Sequence, residues 1–267
     1  MVMKKIGFIG AGNMGGAMSK ACLKVEGSCV WVYDVNANVY SHFEPSKALH
    51  FAEAIEQIIS VCDIVVLSVK PQFYEEVCAK IKGLINKEQL IVTVAPSFDL
   101  KMMRSLLGEE VKLIRTMPNT PAMIGEGVTA YCIEGNLVTR DDLDAFETYF
   151  SSFGKLIKVD EKIMPAVVAA TGSSPAYGYM FIEAMADAAV SFGMARSMAY
   201  EMSALAIKGA CEMILQTGKH PGELKDAVTS PAGTTIKAVL AMEEAGFRNS
   251  VIKGMEACYK QVMDMSN

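Results

Sequence analysis

Two stretches of the chain carry residue types at spacings that can do chemistry. The first is Gly10-Ala11-Gly12-Asn13-Met14-Gly15, which follows the apolar run Ile6-Gly7-Phe8-Ile9 and leads into Met18, Ala21, Cys22 and Val25 at helical spacing. In such a loop the first glycine makes a tight turn, the second lets the backbone approach a pyrophosphate, and the third lets helix and strand pack closely. The free amides and the dipole at the helix start then favour phosphate. A second apolar run over 29–33 closes on Asp34, about twenty residues past Gly15, where an acid accepts from a ribose 2'-hydroxyl. This succession predicts a bound dinucleotide, and so hydride transfer. Asp34 would repel a 2'-phosphate, and no arginine follows it before Arg104, which favours NADH over NADPH.

The second stretch, Thr229-Ser230-Pro231-Ala232-Gly233-Thr234-Thr235-Ile236-Lys237-Ala238-Val239, runs from a Pro/Gly loop into an apolar-periodic segment. Its hydroxyls and backbone amides crowd the first turn of a helix, which is a site for an anion. That anion can be a phosphate or a carboxylate.

The elements that position these stretches alternate strand and helix as far as residue 160. Strands are expected over 6–9, 29–33, 63–69, 90–95, 112–117 and 156–159, that over 63–69 nearly continuously apolar, as in a sheet covered on both faces. Pro71 suits the start of a helix, Asp99 a cap for 100–107, and Thr139 with Asp142 a capping box before 143–153. The loops at the carboxyl ends of such strands bind ligands. Here they are Ser68-Val69-Lys70-Pro71, Ala95-Pro96-Ser97 and residues 117–121. Beyond residue 160 the pattern is helical, over 162–170, 175–192, 197–216, 221–228, 234–244 and 250–265. The segment 175–192 is apolar on nearly every side and must be buried all round. A domain of about a hundred residues rarely manages that alone, so a homodimer with interleaved helices is expected. Two domains result, 1–160 and 161–267.

Composition narrows the partners. With 51% apolar and 21% charged residues, the 267-residue chain can bury a sizeable core. A net charge of -5 and the absence of any basic run argue against nucleic acid. The seven cysteines, Cys22, Cys29, Cys62, Cys78, Cys132, Cys211 and Cys258, are scattered without a Cys-x-x-Cys pair. They read as reduced thiols, with no metal expected. No signal peptide or membrane span is legible, because Glu183 and Asp187 break the most apolar run, so a cytoplasmic location is expected.

Gly7-Phe8-Ile9-Gly10-Ala11-Gly12-Asn13-Met14-Gly15, Ser68-Val69-Lys70-Pro71-Gln72, Arg115-Thr116-Met117-Pro118-Asn119-Thr120-Pro121, Thr171-Gly172-Ser173-Ser174-Pro175-Ala176-Tyr177 and residues 224–235 together resemble pyrroline-5-carboxylate reductases, in order and over nearly the whole chain. The resemblance implies an α/β fold: a Rossmann-type dinucleotide-binding domain followed by an all-α dimerisation domain like the C-terminal domain of 6-phosphogluconate dehydrogenase. It implies reduction of 1-pyrroline-5-carboxylate to L-proline by NADH or NADPH, and homodimers that assemble further into an oligomer such as a decamer. It sets Val69, Lys70 and Pro71 along the cofactor, and Ala95, Pro118 and Asn119 near the nicotinamide. It gives the small carboxylate to Ser230, Ala232, Gly233 and Thr234, and places Thr235 against the imine nitrogen as the catalytic hydroxyl.

Three positions depart from the family pattern. Ser174 stands for a usual glycine, Ala95-Pro96-Ser97 for Ala-Ala-Gly, and Asp34 for small polar residues suited to a 2'-phosphate. Two rival readings follow. A β-hydroxyacid dehydrogenase would need a lysine on the helix over 175–192 and an asparagine one turn on, and that segment has neither. A catalytically silent dinucleotide-binding regulator is the other.

Overall fold

A computed structural model describes residues 3–265. The first half is built on one eight-stranded sheet. Its strands are β1 (Ile6–Ile9), β2 (Val30–Tyr33), β3 (Leu49–Phe51), β4 (Ile64–Leu67), β5 (Leu90–Thr93), β6 (Lys112–Met117), β7 (Gly127–Cys132) and β8 (Gly154–Lys158), in the order β3-β2-β1-β4-β5-β6-β7-β8. Neighbours pair in parallel except β6 and β7, which are antiparallel. The first six strands keep the order of a doubly wound nucleotide-binding sheet. That order reverses at β1, between β2 and β4, so the carboxyl end of β1 is the switch point where a ligand is expected.

Alternate side chains of each strand feed opposite cores. Ile6, Phe8, Val30, Val32, Ile64 and Val66 enter one face with Met18 and Cys22 of α1 (Asn13–Cys22) and Phe146 and Phe150 of α5 (Arg140–Phe150). Ile9, Val65, Leu67 and Ile91 enter the other, against α2 (Ile55–Val61), α3 (Tyr74–Ile81) and α4 (Leu100–Leu107). Each such side chain contributes about 1.5–3 kcal/mol. The expected caps are present. Asp99 accepts from Met102 N at 2.7 Å, and Thr139 and Asp142 form a reciprocal capping box on α5.

Asp142 does more than cap. It is buried and takes ion pairs from Lys4 (2.5 Å) and Lys112 (2.9 Å), which ties α5 to the start of β1 and to β6. Burial alone would push its carboxyl up, but the hydrogen bonds from Lys4, Lys112 and Thr139 outweigh that and hold it well below the usual carboxylate range. A carboxyl depressed in the folded state stabilises above its unfolded value, near 4, and loses that contribution as the pH falls. Asp142→Asn is therefore expected to cost about 3 kcal/mol at pH 7. The gap to wild type in denaturant titrations should narrow below about pH 4.

The helices beyond β8 differ from the expected ones chiefly at their ends. They are α6 (Met164–Val167), continued by a π-helical turn Val168–Gly172, then α7 (Ser174–Ser191), α8 (Arg196–Thr217), α9 (Pro221–Ala227), α10 (Thr234–Glu244) and α11 (Phe247–Met265). The chain divides into two compact units, Met1–Ser173 with Cys258–Asn267, and Ser174–Ala257. In the second unit only Ala186, Ala199 and Ser203 are buried, while Tyr179, Met180, Leu205 and Leu215 are more than 60% exposed. The single chain thus leaves the apolar sides of α7 and α8 uncovered, and α7 is not enclosed as its composition requires.

Candidate active site

The carboxyl end of β1 carries the glycine loop, and its geometry follows from what each missing side chain avoids. Gly10 adopts φ +101°, and a β-carbon there would stand 2.8 Å from the Ser68 carbonyl. At Gly15, in the first turn of α1, a β-carbon would stand 2.1 Å from Gly10 O and 2.6 Å from Ser68 Oγ, so only glycine lets the helix seat on the loop. Ser68 closes the arrangement by donating to Gly10 O at 2.7 Å. Beside Gly12 nothing lies within 4 Å, which leaves the space that a diphosphate needs. A cavity of about 480 Å³ runs along this loop and is lined by Gly10, Gly12, Asp34, Ser68, Val69 and Lys70. The residues present therefore fit a dinucleotide.

Asp34, directly after β2, is fixed from several directions. Its Oδ2 accepts from Ala11 N at 2.7 Å and its Oδ1 from Asn36 N at 2.8 Å. Tyr40 Oη accepts from Asp34 N (3.0 Å) and donates to Asp34 O (3.2 Å). The acid thus ties the end of β2 to the glycine loop. Sequence reasoning missed Tyr40, as well as the apolar cavity walls from Val39 and Ile55. Asn13 and Met14 open α1, and Asn13 faces a second cavity with Lys20, Lys24 and His42.

The remaining loops of this unit are braced by buried polar side chains. Tyr74 Oη donates to Leu67 O (2.5 Å) and accepts from Val94 N (3.2 Å), joining the ends of β4 and β5 just before Val69-Lys70-Pro71 and Ala95-Pro96-Ser97. Burial pushes its phenol up, so it remains protonated. Tyr74→Phe keeps the ring and removes both bonds, with an expected loss of about 1–3 kcal/mol in denaturant titrations and weaker dinucleotide binding. Arg115, buried on β6, donates to Pro96 O at 2.7 Å and to Glu161 Oε1 at 2.9 Å, and Glu161 also accepts from Leu100 N at 2.8 Å. Proline at 96 is therefore accommodated, since its carbonyl is the atom being held. Pro71 opens a 3₁₀ turn before α3, and Ala95 is buried. Pro118 precedes Asn119, whose side chain is spent on a brace: Nδ2 donates to Thr171 O (3.0 Å) and Oδ1 accepts from Val128 N (2.8 Å). No sequence signal marks Tyr74 or Glu161, and the family motif that includes Arg115 does not reveal its role as a brace, because the partners lie far along the chain.

In the helical unit, Ser230 to Gly233 form a turn with Gly233 N donating to Ser230 O at 3.0 Å. Ala232 holds φ +57°, the sole non-glycine with positive φ among the described residues. Such a residue costs about 1–2 kcal/mol and marks a shape that the surroundings impose. Gly233 is the N-cap of α10 and brings no capping side chain. Its own amide is donated within the turn. The free first-turn amides are those of Thr234, Thr235 and Ile236. Thr235 is the second helical residue, exposed and without a hydrogen-bond partner, so it is not the cap. Ser174 opens α7 without a positive φ, so the backbone there does not require the usual glycine.

Four of the thiols are buried. Burial pushes Cys22 up, and pushes Cys62 and Cys132 up to about 12 and Cys78 to about 11. Among the described residues no cluster of His, Cys, Asp or Glu forms a metal site, and no helix is long and apolar enough to cross a membrane. His220 caps α9 through Nδ1, which accepts from Gly222 N at 3.1 Å.

Comparison with known proteins joins the two halves. Residues 161–265 match the family model for pyrroline-5-carboxylate reductase dimerisation, and residues 5–97 match that for NADP oxidoreductase, coenzyme F420-dependent. The pyrroline-5-carboxylate reductase of Escherichia coli (strain K12) is 41% identical over 266 residues, which cover 98% of each chain. The chain belongs to the pyrroline-5-carboxylate reductase family. The pyrroline-5-carboxylate reductase of Pisum sativum is 37% identical over 98% of this chain and 96% of that one. Among solved structures, Plasmodium falciparum pyrroline carboxylate reductase with NADP bound aligns over all of both chains, with a TM-score of 0.90 and 28% identity. The helices α7 and α8, with their uncovered apolar sides, lie within the segment that matches the dimerisation model.

Proposed function

We propose that the chain reduces 1-pyrroline-5-carboxylate to L-proline, with the dinucleotide at the β1–α1 loop and the substrate at the start of α10. The observation that carries the reading is the uncapped start of α10, where three free amides and the Thr235 hydroxyl share one turn, in a chain that matches the E. coli reductase over 98% of both chains. The free amides of Thr234, Thr235 and Ile236, with the helix dipole, hold the substrate carboxylate. Ser230 and Ala232 shape the turn beside them.

A reduced nicotinamide, when bound, supplies a hydride to the carbon of the C=N bond. Gly10, Gly12, Asn13, Met14 and Gly15 bind its diphosphate, Asp34 its ribose, and Val69, Lys70 and Pro71 flank it. Ala95, Pro118 and Asn119 would line the nicotinamide, with the Asn119 side chain bracing that loop. The Thr235 hydroxyl hydrogen-bonds the imine nitrogen and fixes the ring for attack. Threonine is far too weak an acid to be the net proton source. The nitrogen's proton therefore arrives already on the imine, or from water relayed through Thr235.

We also propose a cytoplasmic homodimer, with dimers assembling into a higher oligomer such as a decamer. The location is supported by the scattered free thiols, four of the seven buried, and the assembly by the family resemblance and the exposed apolar side chains. Light scattering that gives a monomer would overturn the assembly.

The activity is tested with purified protein, NADH or NADPH and pyrroline-5-carboxylate, followed at the absorbance of the reduced nicotinamide. Absorbance should fall and proline accumulate; no consumption with either nucleotide overturns the reading and favours the silent regulator.

A further inference from the structure

We infer that this chain takes NADH in preference to NADPH, and that Asp34 decides it. The inference rests on the reductase reading above, and it departs from the P. falciparum relative solved with NADP. An acid at the end of the second strand does not by itself exclude a 2'-phosphate, since an unrestrained side chain can rotate away. Asp34 is not unrestrained. Each carboxylate oxygen holds one backbone amide, Ala11 N at 2.7 Å and Asn36 N at 2.8 Å, and Tyr40 clamps its main chain on both sides. Turning the carboxylate away would break two charge-assisted bonds and release the glycine loop.

A carboxylate accepts at about four lone-pair sites. Two are occupied by amides, so each oxygen keeps acceptor capacity for a ribose hydroxyl. A phosphate in its place carries close to two negative charges and no donor at neutral pH.

The surroundings supply little to offset that repulsion. Residues 35–46 contain no lysine or arginine. The charged residues lining the cavity are Asp34, Lys70, Glu76 and Lys80, and Lys80 is already paired with Glu76 at 2.7 Å. The wall near Asp34 is otherwise uncharged, with Tyr33, Val35, Asn36, Val39 and Ile55. A 2'-phosphate would therefore meet a fixed carboxylate and a single unpaired lysine.

The test is calorimetric titration of NADH and NADPH into the full chain without substrate. NADH is expected to bind at least about tenfold more tightly. Asp34→Asn keeps a carbonyl acceptor for Ala11 N while removing the charge, and should bring the ratio to about threefold or below, mainly by tightening NADPH. Wild-type NADPH affinity equal to or above that for NADH overturns the inference and leaves the reductase reading standing. Equal weakening of both nucleotides in Asp34→Asn also overturns it, because Asp34 would then be only an anchor for the loop. Failure of wild type to bind either nucleotide overturns the inference and the reductase reading together.

Discussion

Thr235→Ala is expected to lower kcat by about a hundredfold or more while dinucleotide affinity stays within about twofold. Thr235 is the second residue of α10, Gly233 occupies the cap, and the hydroxyl has no hydrogen-bond partner, so its removal breaks no structural contact. A group that only stabilised the fold would show itself in denaturant titrations, and none of the observed contacts predicts that. The loss should appear in kcat, because a hydrogen bond to nitrogen matters most as positive charge leaves it in the transition state. Thr235→Ser keeps the hydroxyl and should retain most of the rate. Single-turnover rates paired with calorimetric affinities make the comparison, and an alanine variant within about twofold of wild type would remove the hydroxyl from the mechanism.

Gly15→Ala has the second largest expected effect, and it acts on binding. The added carbon would stand 2.1 Å from Gly10 O, a backbone atom whose residue is held at φ +101° and hydrogen-bonded to Ser68. Neither the strand end nor the helix start can yield without displacing the amides that face the diphosphate. Overpacking of this kind costs about 1–3 kcal/mol, which corresponds to a roughly five- to 150-fold loss of dinucleotide affinity when it falls on the bound state. Circular dichroism separates that loss from a failure to fold. Gly12→Ala is the control with the opposite structural setting, since its β-carbon meets nothing in the free protein. Its penalty should appear only when a nucleotide is bound.

Much of this architecture is legible in the residues. The apolar runs at β1, β4, β5 and β6, the glycine loop, Asp34, and the caps at Asp99 and Thr139 all act through neighbours a few residues away, which is the range over which sequence patterns carry information. Two elements were passed over despite a usable signal: Ile55, Ile58 and Ile59 of α2 recur at helical spacing, and Gly-Val-Thr-Ala-Tyr-Cys of β7 is rich in strand formers. β3 is three residues long and offers no period to detect. The braces of the site were not legible for a different reason. Arg115 reaches Glu161, Tyr74 reaches Val94, and Asn119 reaches Thr171 only because the sheet order brings distant loops together. The Asp34–Ala11 bond is likewise a product of the β1–β2 pairing, and it turns a residue expected only to select the ribose into one that also anchors the loop.

The account's central claim is that hydride passes from a bound nicotinamide to the imine carbon of 1-pyrroline-5-carboxylate. Its most direct test uses NADH deuterated at the transferred position of the nicotinamide C4, with the product analysed by mass spectrometry and NMR. The account predicts L-proline carrying one deuterium at C5, the former imine carbon, and none at the α-carbon. Unlabelled proline, label at another carbon, or no proline at all would contradict it.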